Sequence, residues 1–414
     1  MSKPRLAFVY HPRSFGTMDL SEAARDLCDL VWVVDETIPE VSSMARLLRR
    51  LGSVANVTGL EPDAAAAAIG EHQPDGILGL SDAMLETTAE YAARLDLPFH
   101  SIDTARRLVD KHLQREAFLE AGLPTPGHWN VPAPDESERW QRLLAELTFP
   151  VVLKPRWGEG SRDTFLLSSL DELRTKLALI EGPPERELVI EEYLRDDPDH
   201  NRGPFAGYVS VESVVAGGRV SHVAVTGRFP LAEPLRETGF FIPSALSEED
   251  GVAVRAVAAD AARAVGVELG CLHTEVKLTP DGPRVIEVNG RIGGGVPEML
   301  SLAAGVELMP IAFRLALGEQ VAFESMPAVS SIGYLFYVQA PADYHNILAV
   351  DGLDELGAQP GVHAVTMNRG PGQPIDSREG NHGHVFSVLG TAQDHDALAA
   401  MDRYIAETVS IIGN

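Results

Sequence analysis

The stretch VIEVNGRIGGG, residues 285–295, sets polar side chains at alternate positions and then runs into glycines. Glu287, Asn289 and Arg291 occupy every second position, so they would share one face of a β-strand. A buried strand does not carry several polar groups on one face unless each has a partner, and a solvated strand has no need of the glycines. The pattern therefore indicates a strand that presents a binding face.

The residues before this stretch complete a β-hairpin. HTEVKL, residues 273–278, alternates in the same way, and TPDGP between the two segments is a turn sequence. If the turn is centred on Asp281, Glu275 lies directly opposite Glu287, with Cβ atoms roughly 4.5–5.5 Å apart. Two carboxylates this close repel unless a cation lies between them, and carboxylates with an amide oxygen suit Mg²⁺ or Mn²⁺. We therefore predict a metal site formed by Glu275, Glu287 and Asn289; the alternative is a solvent-exposed hairpin with cross-strand Glu–Lys pairs.

Length and composition describe a large globular chain. Its 414 residues predict about three domains, or two with insertions, and its 45% hydrophobic content is enough for a large core. No apolar run approaches the ~18 residues of a membrane span, and none near the N-terminus is long enough for a signal peptide. The only cysteines, Cys28 and Cys271, form no disulfide or zinc pattern. These features predict a cytoplasmic protein.

The charge balance is strongly acidic. The 34 basic and 60 acidic residues give a net charge of −26. Such a chain is a poor partner for nucleic acid or an anionic membrane, because phosphate neutralisation needs clustered lysines and arginines. If the chain binds a polyanion such as ATP, it must supply local cations, so lysines within apolar segments are candidate binding residues.

Strand-like and helical segments alternate in the first part of the chain. The strand-like segments are residues 5–10, 30–34, 75–80 and 97–101. Their apolar runs predict buried parallel strands, and the helices between them predict a doubly wound α/β domain. G-x-G-x-x-G is absent, which disfavours a nicotinamide cofactor.

A long helix and a proline-rich passage follow this domain. Residues 104–121 predict one helix with Gly122 beyond its end. Asp110 and Lys111 lie inside that helix, where a lysine is usually solvated. Residues 123–137 hold too many prolines for a central strand or a helix interior, so a domain boundary is predicted near them.

The segment PVVLKPRWGEGS, residues 150–161, has the composition of a phosphate-binding turn. Lys154 ends an apolar strand, where its charge must meet an anion or water. Gly158, Gly160 and Ser161 form a turn whose backbone N–H groups can approach phosphate oxygens. The G-x-x-x-x-G-K-[ST] pattern of a P-loop is absent. The alternative is an ordinary hairpin turn with a solvated lysine.

Two further regions are predicted from their patterns. LVIEEYL, residues 188–194, predicts a strand whose backbone could meet an adenine edge, with Glu191 and Glu192 as hydrogen-bond acceptors; taken alone, the segment is better explained as a strand with one solvated face. Beyond residue 207, residues 208–215 and 219–226 predict a hairpin around Gly217 and Gly218. A long helix capped by Ser247 and the hairpin at 273–290 follow. This part predicts a mostly antiparallel sheet.

The order of these motifs resembles the ATP-grasp superfamily of carboxylate–amine ligases over nearly the whole chain. It runs from D-K through P-V-V-L-K-P-x-x-G-x-G-S and E-E-Y-L to H-T-E-V-K-L and V-I-E-V-N-G-R-I-G-G-G. The last block is most similar to the L-amino acid ligases, which join amino acids into dipeptides, and to carnosine-synthase-like enzymes. The resemblance implies a three-domain ATP-grasp architecture: an N-terminal α/β domain at 1–122, a small lid subdomain at 123–206, and a larger antiparallel-sheet domain at 207–414 with a terminal lobe from about 326.

The resemblance also implies an ATP site. Lys111 and Lys154 would contact the phosphates, and the turn with Gly158, Gly160 and Ser161 would close over them. The adenine would be held by residues 191–194, which are Glu191, Glu192, Tyr193 and Leu194.

For the reacting groups, the resemblance implies that Glu275, Glu287 and Asn289 bind Mg²⁺. Arg291 would orient an acyl phosphate, and Gly293 and Gly294 would leave room for the substrate carboxylate. Glu237 is a candidate partner for an α-amino group. The activity implied is ATP-dependent joining of a carboxylic acid to an amine, with amino acids as expected substrates and a homodimer as a common assembly.

The chain also departs from the family pattern. Arg162 and Asp163 follow Ser161 where many relatives have another glycine, and the acid that would bind the ribose is not placed. Glu212 and His273 are candidates for the general base, with structural roles as the alternative. A ligase of nucleotide or cell-wall precursors and a non-catalytic nucleotide-binding regulator are competing hypotheses.

Overall fold

The computed structural model describes residues 3–133, 136–179, 187–200 and 203–414. The N-terminal region forms a parallel sheet of four strands, β1 Arg5–Val9, β2 Asp29–Val34, β3 Ser53–Asn56 and β4 Gly76–Leu78. Their order in the sheet is β3-β2-β1-β4. The accompanying helices are α1 Thr17–Ala24, α2 Pro39–Leu51, α3 Pro62–Gly70 and α4 Leu85–Leu95.

Both faces of this parallel sheet are buried. Phe8 and Trp32 point into one apolar cluster, whereas Val9 and Val33 point into another. Successive side chains of a strand face opposite sides, so each strand supplies both clusters and reads as a continuous apolar run. The predicted doubly wound α/β arrangement is confirmed.

The strand predicted at residues 97–101 is wrong. Those residues link α4 to helix α5, Ile102–Val109. The sheet instead contains the short strand β3, which the sequence did not predict. Pro98 has no N–H to donate to a ladder. Ser101 instead caps α5, because its hydroxyl accepts a hydrogen bond from the N–H of Thr104.

The single helix predicted for residues 104–121 is also wrong, because the chain forms α5 and then α6, Lys111–Glu120. Asp110 between them is extended, with ψ 106°, and its carboxylate accepts from the N–H groups of His112 and Leu113. The same carboxylate binds Arg156 through contacts of 2.8 and 2.7 Å. This aspartate cap begins a new helix and puts Lys111 at the helix start instead of on a solvated helix face.

A smaller antiparallel sheet follows, which we call the lid sheet. It consists of β5 His128–Asn130, β6 Val151–Pro155, β7 Phe165–Leu167 and β8 Leu188–Glu192, in the order β5-β8-β6-β7, with helices α7 Ser137–Glu146 and α8 Leu170–Leu179. The hydroxyl of Ser169 accepts from the N–H of Glu172, as a capping box requires. The carboxylate of Glu172 returns to the N–H of Ser168, one residue earlier than the usual partner.

The last part of the chain builds an eight-stranded sheet, which we call the large sheet, in the order β13-β12-β9-β10-β11-β14-β17-β16. Its strands are β9 Tyr208–Ala216, β10 Arg219–Arg228, β11 Gly239–Ile242, β12 Leu269–Thr279, β13 Gly282–Asn289, β14 Ile332–Val338, β16 Val362–Met367 and β17 Phe386–Ala392. β15 Ile347–Asp351 pairs separately with β18 Ser410–Gly413. The helices are α9 Glu248–Ala264, α10 Val296–Ala304, α11 Leu308–Ala316, α12 Leu353–Gly357 and α13 His395–Thr408.

The β12–β13 hairpin has the register expected from the sequence. Glu275 pairs directly with Glu287, and His273 pairs with Asn289. β13 ends at Asn289, so Arg291 lies just beyond the strand. The predicted mostly antiparallel sheet is confirmed, and the boundaries at 122/123, 206/207 and about 326 stay predictions.

Across the described ranges, no single helix is long and apolar enough to cross a membrane. Helices α10 and α11 reach that length and composition only as a pair, across a bend of 115°.

Candidate active site

A cavity of about 570 Å³ lies between the lid sheet, the large sheet and the carboxyl-end loops of the parallel strands. Its size is that of a small-molecule site. Most residues singled out from the sequence line it: Lys111, Lys154, Gly158, Gly160, Ser161, Glu191, Glu192, Tyr193, Leu194, Glu237, Glu275, Glu287, Asn289, Arg291 and Gly294.

Lys154 and Glu191 form a buried ion pair with a third member, Arg115. The Nζ atom of Lys154 lies 2.7 Å from Oε2 of Glu191. Arg115 on α6 donates to both carboxylate oxygens, at 3.1 and 3.0 Å. Burial raises the pKa of Glu191, but the charges of Arg115 and Lys154 outweigh it and hold that pKa at about 2. Two cations are thus held on one carboxylate at the cavity wall.

The side chains of the predicted adenine segment have other contacts. Glu191 is committed to Arg115 and Lys154. The carboxylate of Glu192 accepts from the N–H of Gly127 at 3.2 Å, and the hydroxyl of Tyr193 donates to Asp196 at 3.4 Å. Contact with adenine would therefore use the backbone and the apolar surface of this segment more than the glutamates.

The predicted metal ligands face the cavity together. Glu275 and Glu287 are neighbours across the hairpin, and the amide of Asn289 donates to the backbone oxygen of His273 at 3.2 Å, which leaves its own oxygen as a donor atom. Lys111 lies with Nζ 3.1 Å from Oε1 of Glu287 and donates to the backbone oxygen of Gly158 at 2.8 Å. Two carboxylates and an amide oxygen are a donor set that fits Mg²⁺.

Arg228, the last residue of β10, lines the cavity close to Glu275 and is 2% exposed. It forms an ion pair with Glu237, and its Nη2 atom lies 3.9 Å from Glu275. The amide of Asn381 donates to the second oxygen of Glu237. Burial raises the pKa of Glu237, while a hydrogen bond from His273 and the charge of Arg228 overcome burial and lower that of Glu275.

His273 reaches the cavity with Glu212 behind it. Nδ1 of His273 lies 2.9 Å from Oε2 of Glu212, and Nε2 lies 3.0 Å from Nη2 of Arg228. Glu212 is 1% exposed and also accepts from Ser210 and Thr226. Burial lowers the pKa of His273, but Glu212 overcomes it and raises that pKa to about 9. Of the two general-base candidates, only His273 faces the cavity.

Arg291 joins three parts of the chain. It binds Asp82, which follows β4, with Nε and Nη2 each 2.9 Å from Oδ2. Its Nε lies 3.8 Å from Oε2 of Glu159 in the glycine turn. Burial raises the pKa of Asp82 against the charge of Arg291, and the neighbouring Glu159 adds to the rise. The guanidinium is therefore held at the cavity, where it can stabilise negative charge that develops on a bound substrate.

The glycine turn packs on a loop near the C-terminus. Gly160 has φ 67°, and Ser161 takes φ 58° although it is not a glycine. Such a conformation costs roughly 1–2 kcal/mol for an ordinary residue. The N–H of Asn381 donates to the backbone oxygen of Gly160 at 2.9 Å, and the N–H of Asp163 donates to the backbone oxygen of Arg378 at 3.1 Å. These contacts hold the turn that Arg162 and Asp163 extend.

The three glycines after Arg291 have different surroundings. A Cβ at Gly293 would lie 2.4 Å from Nδ1 of His273, so this residue makes room for the histidine ring and lies behind the cavity wall. A Cβ at Gly294 would have its nearest neighbour at 3.9 Å, the hydroxyl of Tyr337. Gly295 has φ 73°. Gly294 therefore faces the cavity and Gly293 packs against His273, while their predicted role in substrate clearance stays a prediction.

Several residues at the site were missed from the sequence. They are Arg13, Asp82, Arg115, Glu159, Arg228, Tyr337, Asn381 and His384. Two signals were available: Arg13 and Asp82 follow strands of a parallel sheet, where α/β proteins bind ligands, and Arg228 ends a buried apolar strand. Tyr337 and His384 stack with ring centroids 4.4 Å apart and form an aromatic wall.

Comparison with known proteins finds similarity to several ligases. Alanine–anticapsin ligase of Bacillus subtilis is 25% identical over 234 residues, which are 53% of this chain and 49% of that protein. Carnosine synthase 1 of Gallus gallus is 28% identical over 278 residues, 62% of this chain and 28% of that protein. The crystal structure of L-amino acid ligase from Bacillus licheniformis aligns over 100% of both chains, with a TM-score of 0.78 and 20% identity. No family model matches the sequence.

The fold and the residues that line the cavity resemble those of ATP-grasp proteins. In sequence and in structure the chain resembles the ATP-grasp carboxylate–amine ligases, with L-amino acid ligases among its structural neighbours. The chain spans about half the length of the alanine–anticapsin ligase and under a third of the carnosine synthase.

Proposed function

We propose that this protein is an ATP- and Mg²⁺-dependent ligase that joins a carboxylic acid to an amine. The observation that carries the proposal is the convergence of Lys111, Lys154, Arg291 and the Glu275–Glu287 pair on one cavity. Each is suited to the anions that such a reaction brings together, and positioning with electrostatic stabilisation supplies most of the catalysis in phosphoryl transfer.

The reaction has two steps. A carboxylate oxygen of the acid attacks the γ-phosphorus of ATP, which yields an acyl phosphate and ADP. The amine then attacks the carbonyl carbon, an amide forms, and phosphate and a proton leave. Lys111 and Lys154 would neutralise the phosphates, and Arg291 would stabilise the charge that develops on the reacting carbonyl oxygen.

Mg²⁺, when bound by Glu275, Glu287 and Asn289, supplies charge neutralisation to the nucleotide phosphates. Around it, the chain's own residues exclude water. The glycine turn covers the cavity from the lid side, and its Glu159 lies close to Arg291. Exclusion of water protects an acyl phosphate from hydrolysis.

We further propose that both substrates are amino acids. Glu237 keeps lone pairs beyond its bonds to Arg228 and Asn381, so it could accept from an α-amino group. The aromatic wall of Tyr337 and His384 would contact a substrate side chain. The amino acid ligases among the chain's relatives support this choice over nucleotide or cell-wall precursors.

A screen of phosphate release tests the proposal. Pairs of amino acids are incubated with the protein, ATP and Mg²⁺, and the products are identified by mass spectrometry. We expect ADP and phosphate to appear only when both substrates are present, together with a product whose mass is that of the pair minus water. Absence of turnover with every acid and amine pair would reject the ligase and favour a nucleotide-binding regulator.

A further inference from the structure

A cluster outside the cavity brings together two histidines and a glutamate. His112 and Glu116 lie one turn apart on α6, and His128 lies on β5 of the lid sheet. Residues at positions i and i+4 of a helix share a face. One ring nitrogen of each histidine and a carboxylate oxygen of Glu116 all lie within 4.8 Å of one another.

The donor atoms of this cluster are accessible to a metal ion. Nε2 of His128 lies 3.0 Å from Oε1 of Glu116, a contact that a bound cation would replace with two coordination bonds. Nδ1 of His112 is buried and has no hydrogen-bond partner among the residues described. The side chain of Glu116 is 50% exposed, which gives the ion a route from solvent.

We propose that His112, Glu116 and His128 bind a divalent transition metal, with Zn²⁺ as the best match. Two imidazoles and one carboxylate form a known three-ligand zinc set, in which water takes the remaining position. The same set disfavours Mg²⁺, which prefers oxygen ligands. This site differs in ligand chemistry and in place from the candidate Mg²⁺ site at Glu275 and Glu287.

The position of the site gives it a structural consequence. His128 pairs with Glu191 in the β5–β8 ladder, and Arg115, which holds Glu191, lies between His112 and Glu116 on α6. A metal ion would thus fasten α6 to the lid sheet beside the Arg115–Glu191 ion pair. We expect metal binding to raise the thermal stability of the chain, because an ion that binds the folded state alone stabilises it.

Cobalt titration of the 414-residue chain tests the site. Co²⁺ is added to the nucleotide-free Glu287→Gln variant, which weakens the candidate Mg²⁺ site, and its visible absorption is followed, with Zn²⁺ as competitor. We expect one Co²⁺ per chain, displaced by Zn²⁺. Adding His112→Gln, Glu116→Ala or His128→Gln should weaken binding at least about tenfold, since even outer-shell changes cost about 10–100-fold.

The control is His363→Gln, a histidine exposed on β16 and outside the cluster. Melting curves without metal show whether each variant is folded, and the exposed Glu116→Ala is the variant least expected to disturb folding. The proposal is overturned if the Glu287→Gln protein takes up no Co²⁺. It is also overturned if folded cluster variants bind Co²⁺ as tightly as the control. Neither outcome bears on ligase activity.

Discussion

Replacing Glu191 by glutamine is expected to destabilise the lid sheet strongly. Glu191 is 5% exposed and carries Arg115 and Lys154 on its carboxylate. The substitution leaves two buried cations without a counter-charge, and breaking such a pair costs about 3–5 kcal/mol. A second estimate comes from the pKa, which is held at about 2 against an ordinary value of 4.5. At about 1.4 kcal/mol per pH unit, that difference corresponds to about 3 kcal/mol.

Tryptophan fluorescence offers a direct assay of this loss. Three of the four tryptophans, Trp129, Trp140 and Trp157, lie between residues 123 and 206, and the fourth, Trp32, is removed by Trp32→Phe in every protein compared. When urea unfolding is followed by tryptophan fluorescence, the Glu191→Gln protein should unfold at a clearly lower urea concentration than the wild-type protein. The matched control is Glu192→Gln, because Glu192 is exposed and accepts one backbone hydrogen bond. We expect it to cost no more than about 1 kcal/mol.

The effect of Glu191→Gln on stability should also depend on pH. The folded-state pKa of Glu191 is lowered, so its contribution is present above the unfolded pKa of 4.5 and is lost as pH falls towards 2. The difference in stability between the wild-type protein and Glu191→Gln should therefore shrink from pH 5 towards pH 2. If Glu191→Gln and Glu192→Gln are equally stable at pH 7, the reasoning about this ion pair is refuted.

Four further substitutions test individual residues of the site. Gly293→Ala would set a Cβ 2.4 Å from His273, so it should destabilise the protein by about 1–3 kcal/mol in thermal melts, whereas Gly294→Ala should leave stability nearly unchanged. Glu287→Gln should raise the Mg²⁺ concentration for half-maximal activity at least about tenfold, measured at saturating ATP, and an unchanged requirement would remove Glu287 from the metal site. Arg291→Lys should lower kcat about 100-fold or more while the melting temperature stays within a few degrees, since a lysine cannot reproduce the planar fork; retained kcat would contradict its assignment.

Local patterns predicted the parts of the fold that depend on neighbouring residues. Alternation of polar and apolar residues and a turn sequence were enough to set Glu275 opposite Glu287. A capping residue likewise predicted the start of α9 at Ser247. By contrast, β3 Ser53–Asn56 is short and only partly apolar, and Asp110, which caps α6, is also bound by Arg156 from the segment just after β6. Elements that need a distant partner leave little local signal.

The same reason explains the residues missed at the site. Arg115 meets Glu191 across 76 positions of sequence, and Arg291 meets Asp82 across 209. These pairs form only once the sheets have assembled. A charged residue at the end of a buried strand, such as Arg228, is one of the few sequence signals of such a partner. The glycine run shows the converse, because Gly293 and Gly294 look alike in sequence and have different neighbours.

The central claim is that a carboxylate is activated by phosphoryl transfer from ATP. Its most direct test uses an acid substrate labelled with ¹⁸O in the carboxylate, paired with the amine that supports turnover. Since a carboxylate oxygen attacks the γ-phosphorus and leaves with it, we predict one ¹⁸O atom in each phosphate released, with ADP as the other product. Phosphate free of ¹⁸O would contradict the account.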